Sequence, residues 1–375
     1  MPQTGKVPLK IALLGPAPPF RGGITQFALM LAKEYVRVGL EVQMYTFHRQ
    51  YPGILFPGGT QTTEFASLPD IQVERVFTPY RPDTWKNAVG RITAWNPDLV
   101  LVSYFLPWFA PSYAWICKRL LGIKIVCLAH NIDFHEKWPA ADLLTKKFLQ
   151  HCDTIVVLSE ACLRDLKRKM PADISSRAIL GFHPVYDCYA ENNQLANVLK
   201  EEHTLLFFGL IKDYKGLDVL LKAMKQSLAV LPGLKLIIAG EVYGRSDKYL
   251  KLIRELGLEA SVETHFRYIT DTEISGFFQR SQVCVLPYKT ATQSGVIATA
   301  YSFGVPVIAS DVGGLGESVV NNVTGLLVPP NSPEALASAI IRYFREELSA
   351  DFGSNIPAFV ARYDWRELAR LILES

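Results

Sequence analysis

The chain lacks the features that would mark a disulfide scaffold, a metal protein or a membrane span. Its six cysteines, Cys117, Cys127, Cys152, Cys162, Cys188 and Cys284, form no C-x-x-C pair and share no repeated spacing. Reduced, mostly buried thiols in a cytoplasmic protein are therefore expected, and no metal site. Charge of one sign is also scarce: the net charge is only +3, too little to argue for a nucleic-acid partner and enough for a lipid surface only through a local patch. Met1 to Lys10 is polar and runs directly into a strand, without an apolar signal segment. The one long uncharged run, Leu99 to Cys117, is interrupted by Pro107 and Pro111, so it reads as strand, loop and helix and not as a bilayer span. There is no short-period repeat and no low-complexity segment.

What the sequence does have is apolar material, 49% hydrophobic against 20% charged residues, the balance of a well-packed globular enzyme. A chain of 375 residues exceeds what one core usually supports, so two domains of about 150 to 200 residues are expected. Short aliphatic runs alternate with helical periodicity, the pattern of parallel sheets covered on both faces. The first series comprises Lys10 to Leu14, a helix carrying Ile24, Phe27, Ala28, Leu31 and Tyr35, then strands Val42 to Thr46, Leu99 to Ser103, Ile123 to Leu128 and Thr154 to Leu158. After a break at Gly181 to Asp187 and a polar stretch, a second series runs through Thr204 to Phe208, Lys235 to Ala239, Val262 to Phe266, Val283 to Leu286 and Val305 to Ala309. Thr270 to Glu273 reads as a capping box, and Ser332-Pro333 as a helix start.

Four places carry candidate chemistry. Tandem Gly22-Gly23 at a helix start lets a ligand approach the backbone; a packing turn is the alternative. Gly209 at a strand end is followed by Lys212 and Lys215 on the turn into the next helix, where ammonium groups can meet a phosphate leaving group; a solvated lysine pair is the alternative. The uncharged turn Gln293-Ser294-Gly295 opens an apolar helix that closes at Gly304, and so offers main-chain N–H groups and a positive dipole end to an anion. His130, at the carboxyl end of another strand, lies where ligand sites of open α/β sheets gather; a structural histidine capping a loop is the alternative.

Together these motifs resemble the retaining family 4 glycosyltransferases (glycosyl transferases group 1). They occur in order: Gly22-Gly23-Ile24, His130, Phe208-Gly209 with Lys215-Gly216, Ala239-Gly240, Phe266 to Glu273, Phe303 to Ile308 with Gly313-Gly314 and Glu317, and the terminal Tyr363-Asp-Trp-Arg. The resemblance implies an α/β protein of the GT-B fold, two Rossmann-like doubly wound domains facing across a cleft. Residues 1–185 would be the acceptor domain, 186–355 the nucleotide-sugar domain, and 356–375 a terminal helix packing back on the first. It also implies that Gly22, Gly23, Gly209, Lys212, Lys215 and Ser294, Gly295 and Val296 bind a UDP- or GDP-linked donor, with Tyr268 and Ile269 against the base. Thr299 would contact the ribose, and His130 and Lys215 would act at the bond that breaks.

On that reading the activity is transfer of a sugar, with retention, to a saccharide or lipid-linked acceptor in cell-surface polysaccharide or glycolipid synthesis. A nucleotide-sugar epimerase or hydrolase of the same fold, or a non-catalytic binder, is the alternative. No Asp-x-Asp triplet occurs, so no metal-bridged diphosphate and no cofactor are expected. Two glutamates that the family usually carries fall at Ala291 and Thr299, and its usual arginine falls at Leu210, with Lys212 as the substitute. Arg49, Gln50 and Tyr51, after the second strand, are the acceptor candidates. Lys146-Lys147-Phe148 and Arg164 to Met170 suggest peripheral contact with an acidic inner membrane face.

Overall fold

The computed structural model describes residues 8–52, 61–62, 70–134, 138–185 and 200–375. Two compact units divide the chain, Met1–Phe182 with Trp365–Ser375, and His183–Asp364. The last helix of the second unit, Leu348–Val360, stays with that unit, and the chain joins the first unit at Trp365 and not at residue 356. The reason lies in side chains: Phe352 and Ile356 are buried in the second unit, while Trp365 sets its ring edge-on to Phe27, 4.9 Å between centroids.

In the first unit the described strands form a parallel sheet in the order β3-β2-β1-β4-β5-β6-β7. These are β1 Lys10–Leu14, β2 Glu41–Phe47, β3 Gln72–Phe77, β4 Leu99–Tyr104, β5 Lys124–Ala129, β6 Thr154–Val157 and β7 Ala178–Leu180. All six residues of β4 are buried, as a strand covered on both faces requires. Edge strand β3 is different: Gln72, Glu74 and Arg75 break its apolar pattern, which is why its sequence gives no strand signal. The uncharged run resolves into β4, a short 3-10 turn at Pro107–Phe109 and the helix Ala110–Cys117. Among the described residues no helix is long and apolar enough to cross a membrane. The five described cysteines are all buried and free; Cys188 lies outside the described residues.

The second unit has the order β10-β9-β8-β11-β12-β13, again parallel. Its strands are β8 Thr204–Phe208, β9 Lys235–Ala239, β10 Val262–His265, β11 Val283–Leu286, β12 Val307–Ser310 and β13 Gly325–Val328. β12 starts two residues later than its apolar run suggests. Val305 is spent on closing the preceding helix, with its N–H donating to Ala300 O at 2.9 Å and that of Gly304 to Tyr301 O at 3.0 Å, a Schellman end. The capping box at Thr270 and Glu273 forms, as does the Ser332 cap with Pro333 at the first turn.

Strand order reverses between β8 and β11, and their loops are held main chain to main chain. Gly216 has φ 70°, and a Cβ there would sit 1.9 Å from the Pro287 carbonyl oxygen. Gly313 has φ 51°, and its Cβ would lie 1.7 Å from Ala291 O. The turn 287–291 is therefore clamped from both sides by residues without side chains. Alanine at either position should cost more than about 2 kcal/mol, since left-handed strain adds to a backbone clash. Gly39→Ala, at φ 86° with nothing described within 4 Å of its Cβ, should cost less. Urea unfolding of the three variants checks the ranking.

Candidate functional site

Ligand sites of open α/β sheets lie beyond the carboxyl ends of strands where their order reverses. In the second unit that point is β8 beside β11, paired through Val283 with Leu205 and Cys284 with Leu206. The loop after β8 carries Gly209 to Gly216, and the loop after β11 carries Pro287 to Ser294. Lys289 sews the two together, its N–H donating to Tyr214 O at 2.7 Å and its ammonium lying 2.9 Å from Asp218.

Lys215 is the central side chain of this crossing. It is 91% buried, and its Nζ lies 3.5 Å from where a Cβ of Gly209 would stand. That Cβ would also be 3.3 Å from Val296, so the ammonium is close to the first turn of the helix Gly295–Ser302. Beneath it is the Tyr288 ring, 5.0 Å from Nζ to centroid. No carboxylate pairs with it among the described residues. Its electrostatic neighbours are the Tyr214 phenol and the Cys284 thiol, and burial pulls its pKa below the usual lysine range. The same burial pushes Cys284 up to about 12, although the nearby ammonium acts against that. A buried charge lacking a counter-charge is costly unless a partner arrives, and the partner it needs is an anion.

The helix start behaves as its sequence suggests, with one difference. Ser294 is the N-cap, and its Oγ accepts from the Val296 N–H at 3.3 Å. Tyr288 OH lies 3.3 Å from the same Oγ, linking the ring under Lys215 to the cap. The Val296 N–H expected to face a diphosphate is thus engaged by the cap in this state. Thr299, buried, donates its hydroxyl to Gly295 O at 3.0 Å, so only its lone pairs remain for a ribose. Lys212 is partly exposed, with its Nζ 4.3 Å from the Tyr243 ring centroid.

The loop after β10 is fixed from one side. Arg267 reaches Glu273 with contacts of 3.0 and 2.6 Å, and Glu273 also accepts from the Thr270 N–H, which together hold its carboxyl down at about 2. The Ile269 side chain is buried and Tyr268 is half-buried. The apolar Ile269 side chain thus faces the core, leaving its main chain as the part able to meet a base.

Sequence reasoning missed Gln293. Its Nε2 is buried and has no hydrogen-bond partner among the described residues, one residue before the cap. A glutamine in a turn carries no signal of this kind; only the packed structure shows the unpaired donor.

In the first unit, Gly22 is the N-cap of the helix Gly23–Arg37. Both glycines are exposed, and a Cβ on either would meet nothing described within 4 Å. Space around them therefore does not require glycine; Gly22 is held to glycine by its backbone, at φ 120°, whereas nothing described demands it at Gly23. His130 is buried at the end of β5, its N–H donating to Tyr104 O at 2.8 Å and its ring edge-on to Phe27 at 4.9 Å. Arg49 is exposed, Gln50 is buried with its amide 3.4 Å from Tyr51 OH, and Tyr51 is held by the Gln61 amide through two main-chain bonds.

Of the basic segments, Lys146 and Lys147 are exposed, but Phe148 is fully buried. The second segment is neutralised at at least two of its four basic residues. Arg168 pairs with Asp165 at 2.7 Å and Asp133 at 3.3 Å, and Lys169 pairs with Asp133 at 2.6 Å and Asp142 at 3.5 Å.

Comparison with known proteins agrees with this geometry. Residues 21–176 match the family described as Glycosyltransferase Family 4, and residues 202–346 match Glycosyl transferases group 1. D-inositol 3-phosphate glycosyltransferase of Rhodococcus erythropolis is 26% identical over 94% of this chain and 86% of its own length. Its namesake from Saccharomonospora viridis is 23% identical over 94% and 88%. Among solved structures, sucrose-phosphate synthase from Thermosynechococcus elongatus superposes with a TM-score of 0.75 at 21% identity over 98% of both chains. Anabaena HepE, solved with UDP and glucose, gives 0.73 at 18% identity, again over 98% of both chains. Both parallel-sheet units, the two family matches and these neighbours agree: the chain is an enzyme of the GT-B fold and belongs to the family 4, group 1 glycosyltransferases.

Proposed function

We propose that the protein moves a sugar from a UDP- or GDP-linked donor to a saccharide or lipid-linked acceptor, with retention of configuration, in the synthesis of a surface polysaccharide or glycolipid. The observation that carries the donor half is the buried, unpaired Lys215 ammonium beside the start of the helix Gly295–Ser302. A nucleoside diphosphate supplies the missing counter-charge, and the helix end adds up to about 2 kcal/mol when partly buried. The Gln293 Nε2 would donate to a donor oxygen in the space that Ala291, with no polar side chain, leaves unserved. D-inositol 3-phosphate, named for the curated relatives, adds a phosphorylated cyclitol to the acceptors worth testing.

The chemistry follows from what must be stabilised. As the bond from the anomeric carbon to the diphosphate oxygen breaks, negative charge grows on the leaving group, and Lys215 with the helix terminus meets it. On the same face the acceptor hydroxyl oxygen bonds to the anomeric carbon and gives its proton to the departing phosphate. His130 and the Gly22-Gly23 backbone are our candidates for contacts to the sugar and phosphates, and neutralisation by Lys215 is the basis for expecting turnover to persist in a chelator. The exposed Lys146 and Lys147 make the helix Ala141–Leu149 the better candidate for contact with an acidic membrane.

Product analysis with UDP, GDP and ADP sugars against saccharide, lipid-linked and inositol phosphate acceptors tests the reading; nucleotide binding without acceptor-dependent nucleotide release in every pairing would refute transfer. Lys215→Met should weaken nucleotide binding by about tenfold or more while leaving the unliganded protein as stable as before or more so, because it removes an uncompensated buried charge. Calorimetry and urea unfolding give the two numbers. Because burial lowers the Lys215 pKa, raising the pH deprotonates it before an ordinary lysine, and nucleotide affinity should fall on that alkaline limb. The limb should vanish in Lys215→Met. Sedimentation with phosphatidylglycerol vesicles should retain the protein, and Lys146→Glu with Lys147→Glu should release it.

A further inference from the structure

At the carboxyl ends of the first unit's strands, loops from different strands bring aromatic rings together. Tyr80 follows β3, Trp108 follows β4 and Trp138 follows β5. Their ring centroids are 6.1 Å apart from Tyr80 to Trp108 and 6.4 Å from Trp108 to Trp138, all tilted. These three residues are only partly buried. In the same region Phe109 is wholly buried, stacked on Phe47 at 5.2 Å and flanked by Phe105 and Tyr51 at 4.7 and 5.9 Å. The cluster therefore joins a dry layer to rings that remain partly open to solvent.

Among the described residues, Nε1 of Trp108 and Nε1 of Trp138 are both buried without a hydrogen-bond partner; the Tyr35 and Tyr113 hydroxyls deeper in this unit share that condition, but the two indoles belong to rings that are partly open to solvent. Where a tryptophan serves the core of this unit the donor is satisfied: Trp85 Nε1 donates to Thr78 O at 3.1 Å. A buried donor left unmatched is destabilising because it has given up its bond to water, and here two occur on neighbouring rings. An arriving oxygen acceptor would remove that cost.

We propose that Tyr80, Trp108 and Trp138 form an acceptor subsite and that its ligand class is a saccharide ring. A pyranose presents C–H groups that pack on the negative faces of aromatic rings, and oxygens at its rim that accept from indole N–H groups. A hydrocarbon tail would cover the rings but leave both N–H groups unmatched, and a phosphate would call for a cation, which none of the three side chains supplies. The proposal rests on the reading of the chain as a transferase with a separate acceptor, and it shifts the acceptor contacts from Arg49 and Gln50 to the aromatic cluster that includes Tyr51.

The test uses the full chain and two kinds of titration. Methyl glycosides of glucose, galactose, mannose and N-acetylglucosamine are titrated by tryptophan fluorescence and saturation-transfer NMR; UDP and GDP are titrated by calorimetry. At least one glycoside should bind, and Trp108→Phe and Trp138→Phe, which keep a ring face but remove the donor, should each weaken it roughly 3- to 10-fold. Nucleotide affinity should not change in either variant. If a tryptophan variant fails to fold by circular dichroism, Tyr80→Leu takes its place with the same expectation. Nucleotide binding with no glycoside binding, or glycoside binding that all three variants leave intact, overturns the subsite alone. Binding of dodecylphosphocholine micelles without any glycoside would make the wall a hydrocarbon site and overturn it too, whereas failure of UDP and GDP to bind wild type would instead sink the donor reading.

Discussion

An ammonium group withdrawn from water has to be compensated, and at Lys215 no described carboxylate does so. Much of the second unit's local architecture can be understood as the means of holding that charge in place. The Tyr288 ring packs against it, and Gly209 leaves room for it close to the start of the helix Gly295–Ser302. Two loops must meet for this to happen, and they meet because β8 and β11 are neighbours where the strand order reverses. Gly216 and Gly313 then allow main chain to touch main chain around the 287–291 turn. The unit thus keeps a charge whose proper partner is not one of its own side chains.

The first unit is organised around a different kind of material. Its strand β4 is buried on both faces, and at the carboxyl ends of β3, β4 and β5 aromatic rings gather. Some of the charge nearby is paired, as Asp133 is with Arg168 and Lys169, while Arg49 is exposed. One unit is therefore suited to an anion, and the other offers rings and unpaired N–H donors. That division matches a reaction joining a charged carrier to a neutral ring, and it is set by side chains and not by the shared sheet topology.

Most strands were legible because a parallel sheet covered on both faces forces continuous apolar runs, and β8, β9 and β11 fall where those runs stand. β3 was not legible, since an edge strand tolerates Glu74 and Arg75. β7 and β13 were missed because three or four apolar residues are too few to carry a period. The late start of β12 follows from a helix end that consumed Val305. At the site, Lys215 and the Ser294 turn were readable as residue types able to meet an anion. Gln293, and the engagement of Val296 and Thr299 within the helix's own first turns, were not.

The sequence alone determined the number of units, the parallel α/β class and the places where glycine and lysine meet a strand end, because these depend on composition and short-range spacing; the family entered through the resemblance that its ordered motifs carry. Tertiary structure decided which side chains lack partners. Whether an ammonium, an amide or an indole N–H is satisfied depends on groups brought up from distant strands, and no local pattern encodes that. The same holds for the basic segments: Asp165 is a local partner of Arg168, but only the fold brings Asp133 to it and leaves Lys146 exposed.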